Sequence, residues 1–316
     1  MNINIDQANT WFVIVNPNAG RKKGKKDWQE IASLLKKEHI SFRAIFTERH
    51  GHAVFLARDA INTGYRKILV VGGDGTMNEV VNGVFRQKIV ETSSVCLAMV
   101  AIGTGNDWGR MFDIPSDYQK AVCLLNKKQH FLQDAGIVYY HLAQHTEQRY
   151  FVNIAGLGFD AVVAQKTNRL KEKGRGGALV YFWSLLTSLI YYRHSRVCID
   201  IDGESLTDQI FSISVGIGKF NGGGMMQLPN AIADDGLFDM TVIRKIGRLN
   251  VIRNVGRLFN GTITSHPRVK TFTGRNITIS SEPLIQLEAD GESLGHSPFT
   301  FGIIPQSIQI VTGTID

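Results

Sequence analysis

Three short segments each set glycines beside polar or acidic side chains: Asn16-Pro17-Asn18-Ala19-Gly20, Gly72-Gly73-Asp74-Gly75-Thr76 and Gly103-Thr104-Gly105-Asn106-Asp107. Glycine lets a ligand approach the backbone closely, and amides in such loops point readily at an anion. Each segment follows an apolar run that reads as a buried strand, "WFVIVN", "KILVV" and "VCLAMVAI". One such loop could be an ordinary turn; three at corresponding strand ends imply a phosphate site. Known nucleotide signatures do not fit. No segment has the Walker A spacing, and "GTGNDWG" carries its third glycine one residue too late for the dinucleotide fingerprint, so P-loop hydrolysis and hydride transfer lose support. Two further carboxylate groupings lie downstream: "AIADDGLFD", residues 231–239, and the tripeptide Asp-Gly-Glu, present at 202–204 and again at 290–292. Each Asp-Gly is by itself most simply a hairpin turn, and Asp74 by itself could be a helix-capping aspartate. A carboxylate at any of these places could also serve as a general base.

The elements that must position these groups change texture along the chain. Up to residue 129, strand patterns alternate with helix patterns, such as Trp28, Ile31, Leu34 and Leu35 at helical spacing and "HAVFLARDAIN" further on. That alternation predicts right-handed crossovers and a doubly wound parallel α/β domain over 1–129, with ligands beyond the carboxyl ends of its strands. Residues 130–316 break into short β-branched runs, among them "VCIDIDGE", "IFSISVGIG", "LFDMTVI" and "SIQIVTG", separated by Asp-Gly and Gly-Gly pairs. They predict a mostly antiparallel, β-sandwich-like second domain, with helices near 160–192 and 248–259 and a C-terminal tail free to fold back on the first domain. The working site is expected in the cleft between the two.

The 316 residues carry a formal charge of +7. Its cations are bunched, with Arg21, Lys22, Lys23, Lys25 and Lys26 in one group and Lys166, Arg169, Lys171, Lys173 and Arg175 in another. Such groups suit phosphates, nucleic acid or an anionic membrane surface, or form solvated faces. The second group leads into the apolar run "ALVYFWSLLTSLIYY", which favours the membrane interface over nucleic acid. As a helix this run reaches only about 22 Å, short of a hydrocarbon core of roughly 30 Å, so no transmembrane segment is expected. Cys96, Cys123 and Cys198 lack redox or metal spacing and read as small buried hydrophobes in a cytoplasmic compartment. The histidines form no HExxH set. Trp108 and Phe112 read as packing residues, while Met225 and Met226 are open between an acyl-chain groove and loop packing.

In their order and on their strands, "VNPNAG", "VVGGDGTMNEVVNGV" and "AIGTGNDWGR" resemble the catalytic domain of diacylglycerol-kinase-type lipid kinases. The resemblance runs on through "NIAGLGFDA", "GKFNGGGMMQLPNAIADDGLFD" and "LEADGE", nearly the whole chain. "GGDGT" alone also resembles NAD kinases and phosphofructokinases, whose fold the first domain is expected to share. The resemblance implies transfer of the γ-phosphate of ATP to a lipid hydroxyl, with diacylglycerol, giving phosphatidic acid, as the first acceptor. It implies that Asn16, Pro17, Asn18, Ala19, Gly20, Thr47, Gly72, Gly73, Asp74, Gly75, Thr76, Asn78, Glu79 and Thr104 line the nucleotide site. A carboxylate beside a triphosphate is repelled unless a divalent cation stands between them, so Asp74, with Asp107 nearby, points to Mg²⁺. A second, structural Mg²⁺ is implied at Asp235 with main-chain oxygens of Ile232 and Leu237. The family's base falls on Glu292 by motif order, although spacing alone does not choose between Glu292 and Glu204. The protein is thus expected to be cytoplasmic and peripherally membrane-associated, with a homodimer left open. The rival readings are a soluble kinase of NAD or a sugar phosphate, and a non-catalytic nucleotide-sensing membrane-binding protein.

Overall fold

The computed structural model describes residues 5–127, 130–172 and 178–313, which form two compact units. Unit 1 comprises Met1–Gln133 and Gln306–Asp316, and unit 2 comprises Asp134–Pro305. Of the second basic group, Lys173, Arg175 and the side chain of Lys171 lie outside the described residues.

Unit 1 runs α1 (Ile5–Asn9), β1 (Trp11–Val15), α2 (Ala19–Lys37), β2 (Phe42–Phe46), α3 (His52–Asn62), β3 (Lys67–Gly72), α4 (Asp74–Arg86), β4 (Cys96–Ala101), α5 (Asp107–Met111) and α6 (Tyr118–Cys123). The strands lie in the order β2-β1-β3-β4, every pair parallel. Strands covered on both faces read as continuous apolar runs, and Val13, Leu69, Val71 and Val100 are buried with Ile31 and Leu35 of α2 in one cluster. The chain leaves β1 on one side to make β2 and returns on the other to make β3. That reversal opens a crevice beyond the carboxyl ends of β1 and β3, where the first two glycine segments begin. The second segment is less of a loop than the sequence implied. Helix α4 starts at Asp74, with extended Gly73 as its N-cap and the Met77 amide already bonded to the Gly73 carbonyl at 3.1 Å.

Unit 2 begins with β5 (Phe131–Leu142), whose first residues belong to unit 1, and continues through β6 (His145–Phe151), β7 (Ile154–Gly158), α7 (Phe159–Glu172) and α8 (Ala178–Tyr191). Then come β8 (Ser195–Ile201), β9 (Glu204–Gly216), the two-residue strands β10 (Phe220–Asn221) and β11 (Met225–Met226), β12 (Phe238–Arg244), α9 (Arg248–Asn254) and α10 (Gly256–Phe259). Strands β13 (Val269–Gly274), β14 (Asn276–Glu282), β15 (Gln286–Ala289) and β16 (Glu292–Ile310) close the chain. Two long strands change sheets: β9 pairs first with β8 and then with β7 and β12, and β16 pairs first with β15 and then with β14. Strands that switch sheets in this way turn the corners of a sandwich. Inside, the rings of Phe151 and Phe238 stack at 5.8 Å, with Phe301 edge-on to both. The end of β16 belongs to unit 1, and within that unit its Gln309 and Ile310 pair in parallel with Cys96 and Leu97 of β4.

One expectation fails on strand alternation. Cys96 is buried, and burial pushes its thiol up to about 12, but Cys198 falls on the outward face of β8 and Cys123 is exposed at the end of α6. No helix of the described residues is long and apolar enough to cross a membrane.

Candidate functional site

The three glycine segments of unit 1 meet. A β-carbon on Gly103 would lie 2.7 Å from the Gly73 α-carbon, so the two backbones touch where a side chain would wedge them apart. The Asn16 amide donates to the Thr76 hydroxyl at 2.9 Å, tying the first segment to the second. Asn18 closes a turn on the Asn16 side chain, and Gly20, Arg21 and Lys22 all adopt left-handed backbone, with φ of 58°, 61° and 71°. A β-carbon at Gly20 would run into the Ile102 carbonyl. Two non-glycine residues in that region store strain, which persists only where the surroundings hold it and is concentrated at ligand sites. Pro17 and Ala19 complete this loop, and the cations Arg21 and Lys22 sit on its strained part.

Asn106 was quoted in its motif but not singled out by the sequence. It is also left-handed, its side-chain amide donates to the Gly103 carbonyl at 2.9 Å, and its Oδ1 is buried without a partner. An orphaned buried acceptor costs free energy until a donor or cation meets it. At the junction of three glycine loops, that fits a nucleotide phosphate with its cation.

The acidic residues divide by role. Asp74 accepts the Trp108 amide at 3.0 Å and interacts with the amides of Asn106 and Asp107, the start of α5. Burial raises its pKa and those amides oppose the rise. The carboxylate is therefore tied to the third glycine segment, and Asp107 is buried beside it in sequence at the first turn of α5. Glu79 takes the Gly51 and Ala53 amides at 2.7 and 3.0 Å, so both its oxygens cap the start of α3. Asn78 is fully buried and receives the Asn82 side-chain amide, a helix-internal contact. Thr47 is buried with its amide on the Val15 carbonyl, at the same strand edge as the glycine loops. Thr104 is exposed, and Gly72 and Gly75 flank the α4 cap.

In unit 2, both Asp-Gly-Glu tripeptides are tight hairpin turns with positive φ at Asp and Gly, 50° and 96° at 202–203 and 49° and 84° at 290–291. Asp290 is buried, and its carboxylate accepts the amides of Val152, Asn153 and Ile154 at 3.0, 3.0 and 3.2 Å. Glu288 accepts the Gly291 amide at 2.9 Å, and Asn168 of α7 donates to the Gly291 carbonyl at 2.8 Å. Glu292 leaves this turn half-buried, whereas Glu204 is exposed.

Sequence reasoning missed the buried polar group beside that turn. Asp160 accepts from Ser212, Ser214 and Gln227 at 3.2–3.4 Å, and burial raises its pKa to about 6. Glu288 accepts from Asn221 at 2.8 Å and is pushed up to about 8, chiefly by burial with the neighbouring Asp160 and Asp290 adding to it. The signal was "GLGFDA": an aspartate at the start of a helix among buried residues. Asp160 stands on the wall of a narrow slot with about 50 Å³ of free space, lined chiefly by apolar side chains including Phe159, Leu185, Met225 and Leu258.

The loop 231–239 is not a hairpin, because no strand pairs across Asp235-Gly236. Asp235 is exposed and accepts the Leu237 amide at 3.0 Å, while buried Asp134 accepts the Gly236 amide at 2.7 Å. Burial first, and repulsion by Asp235 second, raise Asp239 to about 6. Two carboxylates that repel each other offer hard oxygens of the kind Mg²⁺ takes, and of the two residues expected to add main-chain oxygens Ile232 is exposed and Leu237 half-buried. Asp239 was quoted within this motif but not singled out by the sequence.

Comparison with known proteins agrees over nearly the whole length. Residues 10–138 match the model of the diacylglycerol kinase catalytic domain, and residues 153–312 match the YegS C-terminal NAD kinase beta sandwich-like domain. A Staphylococcus carnosus protein named diacylglycerol kinase is 27% identical over 95% of this chain and 94% of its own. A Bacillus subtilis protein named "Putative lipid kinase YtlR" is 30% identical over 96% and 99%. Among solved structures, a diacylglycerol kinase from Bacillus anthracis superposes with a TM-score of 0.73 at 21% identity, covering 96% of this chain and 97% of that one. Yeast NADH kinase in complex with NADH reaches 0.51 at 12% identity, over 96% of this chain and 84% of its own, a likeness of fold alone.

Proposed function

Because this chain belongs to the family built from the diacylglycerol kinase catalytic domain and the YegS-type C-terminal domain, and is thus a kinase, we propose that it phosphorylates a lipid hydroxyl with ATP. Diacylglycerol is the first acceptor to test. The observation that carries the lipid assignment is the apolar slot of unit 2 with the hydrogen-bonding carboxylate Asp160 on its wall. A hydroxyl on an apolar tail needs that combination, whereas NAD or a sugar phosphate needs cations there.

The chain's own groups perform the following work. The glycine segments of unit 1 present amides to phosphate oxygens, and Arg21 and Lys22 offset charge. When bound, Mg²⁺ supplies charge neutralisation on the transferring phosphoryl group, held by Asp74, Asp107 and Asn106 Oδ1. Asp235 and Asp239, with the Ile232 and Leu237 carbonyls, would hold a structural ion. Glu292 accepts the hydroxyl proton as the acceptor oxygen bonds to phosphorus and the bond to the ADP oxygen breaks. The pinned turn at 290–291 fixes where that carboxylate stands, and pre-set geometry of this kind lowers the barrier.

Purified protein with radiolabelled ATP and a total lipid extract tests the assignment, followed by identification of the labelled product. Glu292→Gln should lower turnover about 10² to 10⁴-fold, and Glu204→Gln should leave it unchanged. Phosphorylation of NAD with no labelled lipid would replace the lipid reading with its soluble rival. ATP binding with no transfer to any acceptor would support the non-catalytic one.

A further inference from the structure

A second cavity in unit 2, of about 410 Å³, has a chemistry unlike that of the slot. Arg193 and His194 reach it from the segment between α8 and β8, Lys245 from the segment between β12 and α9, and Arg248 from the start of α9. Tyr192 and Gln209 complete its polar wall. No carboxylate lines it, and the nearby acid in sequence, Asp208, is engaged by Arg244. Three permanent cations around one hollow give it a positive potential that attracts an anion, screened in part because all three are exposed. His194 adds a polar ring to the wall: it interacts with the backbone at Ile246, and its Nε2 is buried without a hydrogen-bond partner among the described residues. Burial lowers its pKa, and Lys245 and Arg248 lower it further.

The surroundings indicate where the anion comes from. Phe211 and Ile246 line both this cavity and the apolar slot, so the two share a wall. Helices α8 and α9 pack around the same apolar cluster, yet each also leaves large apolar side chains in water next to cavity residues. Tyr191 is 84% exposed one residue before Tyr192, and Leu249 is 69% exposed one residue after Arg248. Ile190 and Ile252 are also exposed. Exposed cations interleaved with exposed aromatic and aliphatic side chains match a bilayer surface, where apolar groups enter the interface and cations meet phosphates.

We propose that Arg193, His194, Lys245 and Arg248 form a binding pocket for the headgroup phosphate of an anionic phospholipid, which seats the enzyme on the membrane with its acceptor slot alongside. This rests on the lipid-kinase reading for the use of the slot, while the pocket's occupant is tested without catalysis. Full-length protein is sedimented with vesicles of phosphatidylglycerol and phosphatidylcholine in equal parts, and with phosphatidylcholine alone. Binding should require phosphatidylglycerol and fall about 30-fold in Arg193→Ala/Arg248→Ala, equivalent to about 1 kcal/mol for each cation removed. A Lys166→Ala/Arg169→Ala variant, which removes two cations of α7, should lose markedly less. Turnover of a short-chain diacylglycerol in neutral detergent should stay unchanged in the pocket variant.

Equal losses in the two variants would overturn the pocket in favour of diffuse charge. Binding of inorganic phosphate or glycerol 3-phosphate, abolished by the pocket variant and unaccompanied by vesicle binding, would overturn the lipid source in favour of a soluble anion. Pocket-dependent vesicle binding by a protein that phosphorylates no lipid would sink the proposed function and leave the pocket standing.

Discussion

Glu79→Gln separates two roles for a buried carboxylate in the middle of "GGDGTMNEVV". The motif resemblance implies a nucleotide contact, but the structure spends both Glu79 oxygens on α3, through the Gly51 amide at 2.7 Å and the Ala53 amide at 3.0 Å. His50 stands 3.9 Å from one of them and is largely exposed, so it adds little. Each amide bond to a charged acceptor contributes about 1.5–3 kcal/mol, and a negative charge at a helix start adds about 0.3–1 kcal/mol. Glutamine keeps one neutral acceptor and turns an NH₂ toward the other amide. The expected loss is therefore about 2–3 kcal/mol, large for a domain of marginal stability. Urea unfolding followed by tryptophan fluorescence reports it, because Trp11, Trp28 and Trp108 belong to unit 1 and only Trp183 to unit 2. The midpoint should fall with an unchanged slope, and nucleotide affinity of the folded variant should change less than about threefold. An unmoved midpoint with a tenfold or greater loss of nucleotide binding would refute the cap reading and return Glu79 to the phosphate site.

Glu288 gives unit 2 a pH-dependent stability. Its folded pKa of about 8 lies above the ordinary 4.5, so the folded state holds more protons between those values and stability falls as pH rises from about 4.5 to about 8, by on the order of a few kcal/mol. Glu288→Gln should flatten that decline in urea titrations followed by circular dichroism, leaving a smaller component from Asp160, which titrates near 6; an unchanged decline would place the titration elsewhere. At the 231–239 loop, Mg²⁺ at about 100 times its dissociation constant should stabilise the protein by about 2.7 kcal/mol in thermal melts, and Asp239→Asn or Asp235→Asn should remove the effect. Retention of the full shift in both variants would exclude that loop as the site.

The parallel half of the fold was legible because its strands are buried on both faces and therefore announce themselves as apolar runs, as in β1 and β4. The hairpin of β5 and β6 was not, because β6 reads "HTEQRYF" and is mostly exposed: solvent-facing strands carry little apolar signal. The glycine loops were found by type and order, yet the left-handed run at Gly20, Arg21 and Lys22 left no trace in sequence, since arginine and lysine ordinarily avoid that conformation. Asp160, Asp239 and Asn106 lay within quoted motifs but were not singled out, for a shared reason. Each acquires its character from burial or from a neighbour distant in the chain, and neither is written in local spacing.

The two Asp-Gly-Glu tripeptides isolate that point. Both form the same left-handed turn, and in both the aspartate accepts backbone amides from a distant segment, Arg275 and Asn276 for Asp202 and residues 152–154 for Asp290. Local chemistry is therefore identical and cannot give Glu204 and Glu292 different roles. The difference lies one step outward. Gly203 is held by Asp200, within its own hairpin, and Asp202 is exposed, so burial does little to offset the amide bonds that lower its pKa. Gly291 is held at its amide by buried Glu288 and at its carbonyl by Asn168 of α7, in a turn whose aspartate is sealed from water. A base must be found within a fraction of an ångström of its place at every turnover. Of the two turns, the second has, among the described residues, the contacts to hold one there; on the proposed function, Asn168→Ala, which removes the α7 tether while leaving Glu292 itself intact, should lower turnover without lowering ATP affinity.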